Sequence, residues 1–235
     1  MRILAVSDVE CPALWDHYVR GRLDGYDLIL SCGDLKAQYL SFLVTMSHAR
    51  LLYVHGNHDG GYASQPPEGC ENIDGHLVIY NGVRILGLGG CLWYHEGPHQ
   101  YSEKQMQRRI AKLRFALKRA GGVDIVIAHA PPRGLGDMED RAHTGFEAFR
   151  GLIDKYHPRL FLHGHTHLSY GTGVEREQFS GETRVINVSE RFSLDVPEGN
   201  CPAEKRGRLI YVTRRPREPV SSDVPSLDPG SLFRF

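Results

Sequence analysis

Short apolar runs separated by helix-length segments are the feature that most restricts the fold of this chain. Each run has the length and the β-branched content of a buried strand. Between the early runs the chain is long enough for a helix, which is typical of β-α units that build a parallel sheet. Later runs follow one another closely, as in hairpins, so mixed sheets are expected. The runs are residues 3–6, 28–30, 51–54, 77–80, 84–88, 125–128, 160–162, 185–188 and 209–212.

Four helices are predicted between these strands. The third has an apolar stripe with basic side chains mainly off the stripe. A basic face of this kind is usually solvated, so it indicates a surface helix more than a nucleic-acid site. Prolines and serines near the end of the chain predict a single domain over residues 1–213 and an extended or disordered tail over residues 214–235. The predicted helices are residues 12–22, 38–48, 102–120 and 145–156.

Composition excludes several classes of protein. The 235 residues are 41% hydrophobic and 24% charged, as in a globular domain, and the formal net charge of zero counts against a broad attraction to nucleic acid or anionic membranes. Five scattered cysteines without a Cys-x-x-Cys pair favour free thiols in a reducing compartment. The first apolar run is too short for a signal peptide or a membrane span, so we expect a cytoplasmic protein. No sequence feature indicates the oligomeric state.

Polar residues that can bind metal ions stand where several of the apolar runs end. In an α/β sheet the carboxyl ends of parallel strands share one edge, so five separate segments are expected to converge there. In three of these segments a glycine directly precedes the polar residue, which lets the backbone turn sharply and approach an ion closely. The residues are Asp8 and Glu10, Asp34 after Gly33, Asn57 after Gly56 with His58 and Asp59, His129, and His165 after Gly164 with His167.

In order and approximate spacing, these blocks resemble the motifs of the calcineurin-like metallophosphoesterase family. The resemblance covers about residues 1–190, and its most diagnostic parts are Gly-Asn-His-Asp at 56–59 and Gly-His-Thr-His at 164–167. It implies an α/β fold, an αββα sandwich of two mixed β-sheets flanked by helices, with a dinuclear metal centre at its edge. It also implies a metal-dependent phosphoric ester hydrolase.

The same resemblance assigns a role to each residue. His58 would donate a proton or hydrogen bond at the phosphoryl group, with Asp59 as an orienting partner. Asp34 would bridge two metal ions. The ligands of one ion would be Asp8, Asp34 and His167, and those of the other Asp34, Asn57, His129 and His165.

The first block departs from the family pattern. The family usually has Asp-x-His, whereas this chain has Asp8-Val9-Glu10. Alternation would point Asp8 and Glu10 the same way, and a carboxylate can bind Mn²⁺, Fe²⁺ or Zn²⁺. We therefore expect Glu10 to replace the missing imidazole. The alternative is that Glu10 turns away and the first ion is weakly held or absent.

Two divalent ions suit the hydrolysis of a phosphate ester. Placed about 4 Å apart, they can lower the pKa of a bridging water toward about 7 and offset charge in an in-line displacement by the resulting metal-bound hydroxide. Three carboxylates leave such a centre net positive, so it should attract a phosphate anion. Oxygen and nitrogen donors favour Mn²⁺, with Fe, Zn, Ni or Co as alternatives.

Two further segments are candidates for substrate contact. The aromatic loop at 91–96 contains Trp93, which could stack on a base, cover an apolar leaving group or only close the core. The long loop after His129 contains Arg133 and His143, which could contact substrate phosphate or ribose. This loop resembles the His-x-Pro-Pro-x-Gly loop of the subgroup that includes small cyclic-nucleotide phosphodiesterases.

The sequence thus predicts a phosphodiesterase for a small nucleotide-like or other organic phosphate ester. The alternatives are a phosphomonoesterase, including a protein phosphatase, and, from a different class, a metal-binding scaffold that has lost catalysis. The missing first-block histidine favours the scaffold, whereas Asp34, His58, His165 and His167 favour the enzyme. The neutral charge and the lack of an evident second DNA-binding domain count against a nuclease.

Overall fold

The computed structural model describes residues 1–170, 175–199, 201 and 210–211. Its three α-helices are α1 (Ala37–Ser47), α2 (Glu103–Ala120) and α3 (Glu147–Tyr156), and short 3-10 turns lie at Pro12–Leu14, Asp59–Ala63 and Leu168–Tyr170. The strands are β1 (Arg2–Val6), β2 (Leu28–Ser31), β3 (Arg50–Tyr53), β4 (Cys70–Asn72), β5 (Leu77–Tyr80), β6 (Val83–Leu88), β7 (Cys91–Leu92), β8 (Gln100–Tyr101), β9 (Ile125–Ala128), β10 (Leu160–His163), β11 (Glu177–Ser180), β12 (Thr183–Asn187), β13 (Phe192–Asp195) and β14 (Ile210–Tyr211).

The strands form two large mixed sheets. The first has the order β13-β1-β2-β3-β4, in which β1 to β4 are parallel and β13 pairs antiparallel with β1. The second has the order β11-β12-β10-β9-β6-β5-β14, with a parallel centre from β12 to β6 and antiparallel strands at both sides. A short parallel pair, β7 and β8, stands apart from both sheets.

Alternating side chains along the strands create four layers. In β9, Ile127 faces the core between the two sheets, whereas Val126 packs with α2 and α3. In β1, Ala5 faces the same central core and Leu4 packs with α1. Successive side chains of a strand point to opposite faces, so each sheet buries both of its faces. The predicted αββα sandwich is therefore confirmed.

The helix predicted over residues 12–22 is wrong. Only Pro12–Leu14 form a 3-10 turn, and the chain then continues through turns that pack against α1. Trp15 stacks on Tyr39 with ring centroids 5.0 Å apart, and Tyr18 makes an edge contact with Phe42. These aromatic side chains are packed although the backbone that carries them is irregular. Gly21 has a φ of 88°, in the left-handed region, so a helix could not continue through it.

Parts of the predicted organisation fall outside the described residues. These include the tail over 214–235 and the ends of the strand predicted at 209–212, of which Ile210 and Tyr211 form β14. All five cysteines are free, as expected. Within the described ranges, no helix combines the length and apolar character needed to cross a bilayer.

Candidate metal centre

Three loops that follow parallel strands bring Asp34, His129 and His165 together. One ligand atom from each residue lies within 4.8 Å of the others. Asp34 follows β2 of the first sheet, whereas His129 and His165 follow β9 and β10 of the second. The cluster therefore lies where the strand ends of both sheets meet, as the sequence predicts.

Three glycines make this close approach possible. A Cβ at Gly33 would lie 2.3 Å from the backbone nitrogen of Gly56, and a Cβ at Gly56 would lie 2.0 Å from Oδ1 of Asp34. A Cβ at Gly164 would lie 2.0 Å from Oγ of Ser7. Any side chain at these positions would force the loops apart, because such distances are far below van der Waals contact.

His129 is the buried hub of the cluster. Its Nδ1 donates to the carbonyl oxygen of Cys32 at 2.8 Å, and its Nε2 donates to Oδ1 of Asn57 at 2.9 Å. The same Nε2 lies 3.2 Å from Oδ2 of Asp34. Burial alone would lower the pKa of His129, but the Asp34 charge raises it to about 9. A cation at this point must displace the Nε2 proton and would meet three donor atoms.

Asp34 is held as a carboxylate by its neighbours. Burial would raise its pKa, but the charge and hydrogen bond of His129 lower it well below the usual value. The backbone amide of His58 also donates to Oδ1 of Asp34 at 2.8 Å. This leaves Asp34 charged and fixed, which suits a residue that must bind a cation.

His165 is held in the neutral form. Burial, followed by the charge of His129, lowers the pKa of its ring to about 3. Its Nε2 donates to the carbonyl oxygen of Ala142 at 2.7 Å, so the lone pair is on Nδ1. Histidines that bind metal ions usually donate their other ring N–H to a carbonyl or carboxylate in this way.

Asp8 carries an unsatisfied oxygen beside this cluster. Its Oδ1 accepts a hydrogen bond of 2.8 Å from the backbone amide of His165, whereas its Oδ2 is buried without a hydrogen-bond partner. Burial raises the pKa of Asp8, and the charge of His129 and the hydrogen bond from His165 lower it in part, with a smaller contribution from His167. A buried carboxylate oxygen without a partner is rare, and a divalent cation would satisfy it. The donor set therefore fits a metal centre.

The backbone of this region is strained in a consistent way. Asp8, Asp34 and His165 have φ values of 64°, 56° and 69°, in the left-handed region. Aspartate and histidine tolerate this region better than most residues, but it still costs free energy. Such strain is typical of functional sites, where it aims side chains at a shared point.

His58 and Asp59 have different environments. The His58 side chain is 75% exposed, and its Nε2 lies 4.0 Å from Oδ2 of Asp34. Asp59 is buried, and its Oδ2 accepts hydrogen bonds from the backbone amides of Asp34 at 2.9 Å and Gly56 at 2.7 Å. Asp59 thus braces the two loops of the centre, whereas the sequence predicts that it orients the His58 ring.

Glu10 contacts the start of α1. Its Oε1 accepts a hydrogen bond of 3.1 Å from the backbone amide of Lys36 and lies 3.7 Å from Nζ of the same residue. Glu10 also lines a cavity of about 310 Å³ that includes Asp34 and His58. The carboxylate is therefore beside the centre but directed at Lys36 in this state.

The three predicted substrate residues differ in their proximity to the centre. The His143 ring lies 5.2 Å from the His165 ring, and its Nδ1 lies 2.9 Å from both carboxylate oxygens of Asp140. Trp93 is 51% exposed and directly precedes Tyr94, whose hydroxyl accepts a hydrogen bond from Asn57. Arg133 instead pairs with carboxylates of its own loop, Asp137 at 2.8 Å and Glu139 at 3.3 Å.

Two contacts of the centre escape sequence reasoning. Nδ2 of Asn57 donates to the hydroxyl of Tyr94 at 3.2 Å, and the Ala142 carbonyl accepts from His165. The aromatic run around Tyr94 is a weak signal for the first contact. Ala142 provides no signal, because every residue has a carbonyl oxygen.

An αββα sandwich with carboxylates and imidazoles gathered at its sheet edge defines a metal-dependent hydrolase of phosphate esters. The family model for calcineurin-like phosphoesterases matches residues 1–169. The chain therefore belongs to the calcineurin-like phosphoesterase family, a class of metal-dependent phosphoric ester hydrolases.

Solved structures share this fold. One crystal structure matches with a TM-score of 0.60 and 14% identity over 89% of this chain and 97% of its own. The crystal structure of TT1561 of Thermus thermophilus matches with a TM-score of 0.51 and 18% identity over 80% of this chain and 89% of its own. At these identities the likeness concerns the fold alone. The comparison with curated proteins finds no match.

Proposed function

We propose that the protein is a phosphodiesterase that hydrolyses a small nucleotide-like or other organic phosphate ester at a centre of two divalent ions. The observation that carries the proposal is the convergence of Asp34 Oδ2, Asn57 Oδ1 and His129 Nε2 beside the unpaired Oδ2 of Asp8. Oxygen and imidazole donors of this kind suit Mn²⁺. Free thiols at all five cysteines agree with a reducing, cytoplasmic location.

The ligands divide between two ions that share Asp34. Hydrogen bonds from His129 to Cys32 and from His165 to Ala142 fix the ring tautomers and support these assignments. When bound, the ions would supply an acidified water as nucleophile and a positive field for the phosphoryl oxygens. The proposed ligands of one ion are Asp8, Asp34 and His167, with Glu10 as a further ligand, and those of the other are Asp34, Asn57, His129 and His165.

His58 is the proposed acid for the leaving oxygen. Its exposed ring stands at the edge of the cavity that Asp34 also lines, so a substrate can reach it. Proton transfer from a positioned side chain typically contributes about 100-fold to 10,000-fold to a rate. Asp59 supports the reaction by holding the backbones of Asp34 and Gly56.

Substrate recognition is assigned to the loops beside His165. The pairing of His143 Nδ1 with Asp140 fixes its ring beside His165, where the other ring nitrogen can accept a hydrogen bond from the substrate. Trp93, one residue from the Asn57 contact of Tyr94, can cover a leaving group. Arg133 contributes indirectly, because its ion pair with Asp137 shapes the loop that carries His143.

A direct test compares two model esters. Purified protein with Mn²⁺ should hydrolyse bis-p-nitrophenyl phosphate, and a chelator should abolish the reaction. Elemental analysis should find two ions per chain. His129→Gln should lose the activity and the bound metal. His17→Gln, which changes an exposed histidine outside the proposed ligand set, should keep both. Hydrolysis of p-nitrophenyl phosphate alone would indicate a monoesterase, and hydrolysis of neither ester with any divalent ion would overturn the proposal.

A further inference from the structure

Two loops meet beside the His165 side of the centre. The first follows β7 and is tied to the centre by the hydrogen bond from Asn57 to the Tyr94 hydroxyl. The second follows β9 and is tied by the hydrogen bond from His165 to the Ala142 carbonyl. Because each of these hydrogen bonds is made by a proposed ligand, both loops lie directly beside the centre.

A cation–π contact between Trp93 and Arg141 joins these two loops. The guanidinium carbon of Arg141 lies 5.3 Å from the centroid of the Trp93 ring. Trp93 immediately precedes Tyr94 and Arg141 immediately precedes Ala142, so the pair is one residue away from each tie. An exposed indole and a cation therefore lie together beside the centre.

The pair is held by ordered backbone on both sides. The backbone amide of Trp93 donates to the carbonyl of Tyr101 at 3.0 Å. Asp140, the neighbour of Arg141, accepts a hydrogen bond of 2.9 Å from the amide of Ala142. The side chain of Asp137, only 6% exposed, accepts two further backbone amides of the same loop. Such preorganisation lowers the entropic cost of binding a ligand.

Both side chains favour flat, aromatic ligands. An indole face stacks on planar rings, and a guanidinium stacks on the same rings while its N–H groups donate in their plane. Resting on the proposed phosphodiesterase function, we propose that Trp93 and Arg141 form a platform that binds the planar aromatic part of the substrate. The enzyme then selects phosphate esters of nucleosides or aryl alcohols over esters of aliphatic alcohols.

Exposed aromatic side chains elsewhere on the protein provide a comparison. Phe115 is 63% exposed on α2 and Phe179 is 65% exposed on β11. Neither residue lies in a loop tied to a proposed ligand. Phe115 therefore serves as the matched control for Trp93, because truncation removes a similarly exposed ring outside the centre.

Binding can be measured without turnover. The chain has two tryptophans, so in a Trp15→Phe background the fluorescence reports on Trp93 alone. Adenosine monophosphate added to the manganese-loaded protein should quench this fluorescence, whereas glycerol phosphate should not. Arg141→Ala should weaken nucleotide binding about tenfold, as expected for the loss of one stacking partner. Equal responses to the two phosphates would overturn the platform.

Steady-state kinetics can distinguish a loss of aromatic-substrate binding from a general loss of activity. Trp93→Ala and Arg141→Ala should each raise KM for bis-p-nitrophenyl phosphate about tenfold, and each should raise KM much less for glycerophosphoglycerol, an aliphatic diester with neither a ring nor a cation. Trp93→Phe should recover most of the loss, and Phe115→Ala should have no effect. Equal losses on both esters, or none, would contradict the platform. If the unmodified protein hydrolyses neither ester, the proposed function fails, and the fluorescence titration still tests the platform.

Discussion

The backbone amide of His165 donates a hydrogen bond of 2.8 Å to Oδ1 of Asp8, although 157 positions separate the two residues. Asp8 follows β1 in the first sheet and His165 follows β10 in the second, so this bond joins the edges of both sheets. One carboxylate oxygen thus serves the fold, and the other, Oδ2, is buried without a partner. Burying this unpaired oxygen destabilises the metal-free protein, and a cation bound beside it would offset the loss.

Asp8→Asn should separate these two roles. The amide oxygen of asparagine can still accept from His165, and the neutral group removes the cost of burying a charge, so the stability of the metal-free protein should change by less than about 1 kcal/mol. Manganese affinity should fall at least about tenfold, because a charged ligand is lost. Urea unfolding of the metal-free protein and titration calorimetry with Mn²⁺ measure the two effects. Unchanged affinity would show that Oδ2 does not bind the ion.

Gly56→Ala should destabilise the protein by about 1–3 kcal/mol, as overpacking of a tight site does. The new Cβ would lie 2.0 Å from Oδ1 of Asp34, so the two loops must separate. Gly61→Ala is the matched control in the same segment, because a Cβ at Gly61 meets nothing within 4 Å. The unfolding temperature and the metal content should fall only in the Gly56→Ala variant. Equal stability of both variants would contradict the close approach.

The fold and the cluster could be predicted because their signals are local in the sequence. Apolar runs such as residues 125–128 indicate buried strands, and polar residues after parallel strands must share an edge. Asp34, His129 and His165 therefore converge as expected. By contrast, β4, β11 and β13 are short strands with polar residues at the sides of the sheets. Pairing with a neighbouring strand, more than their own pattern, makes them strands.

Contacts between loops were harder to predict. The position of Ala142 beside His165 depends on the whole path of the loop, and the interaction uses a backbone atom. The direction of Glu10 depends on Lys36 at the start of α1, which the alternation argument does not include. Periodicity indicates which face a residue occupies but not which partner it meets there.

His58→Ala should lower kcat by about 100-fold to 10,000-fold, as expected for the loss of a positioned acid. Metal content should stay near that of the unmodified protein, because the His58 side chain is 75% exposed and its backbone amide, not its ring, holds Asp34 at hydrogen-bond distance. Steady-state kinetics and elemental analysis check the two parts. Loss of both ions in the variant would contradict the role assigned to the ring.

Asp124→Asn should reduce stability in a pH-dependent way. Burial would raise the pKa of Asp124, but hydrogen bonds from Arg84, at 2.7 and 2.8 Å, lower it. A lowered pKa means that the carboxylate stabilises the fold above its unfolded pKa of about 3.9, and that this contribution is lost as the pH falls through the folded value. The variant should lose about 2 kcal/mol at pH 7.

Urea unfolding from pH 7 to pH 3.5 tests this prediction, and the difference between the two proteins should shrink toward the acid end. Asp124 precedes β9 and His129 follows it, so the ion pair lies at the opposite end of the strand from the centre. Activity at saturating metal should therefore be unchanged at pH 7. A stability difference that stays constant with pH would contradict the ionic origin.

Glu10 provides the last test, because its two expected roles predict different metal contents. If Glu10 turns from Lys36 to bind an ion, Glu10→Ala should lower the metal content from two ions per chain toward one, and Glu10→His should restore it with an imidazole ligand. Lys36→Ala is the matched control, since it removes the ion-pair partner at 3.7 Å and leaves the carboxylate in place. Unchanged stoichiometry in Glu10→Ala, with lower stability from the lost contact at the start of α1, would show that Glu10 supports the helix and does not bind metal.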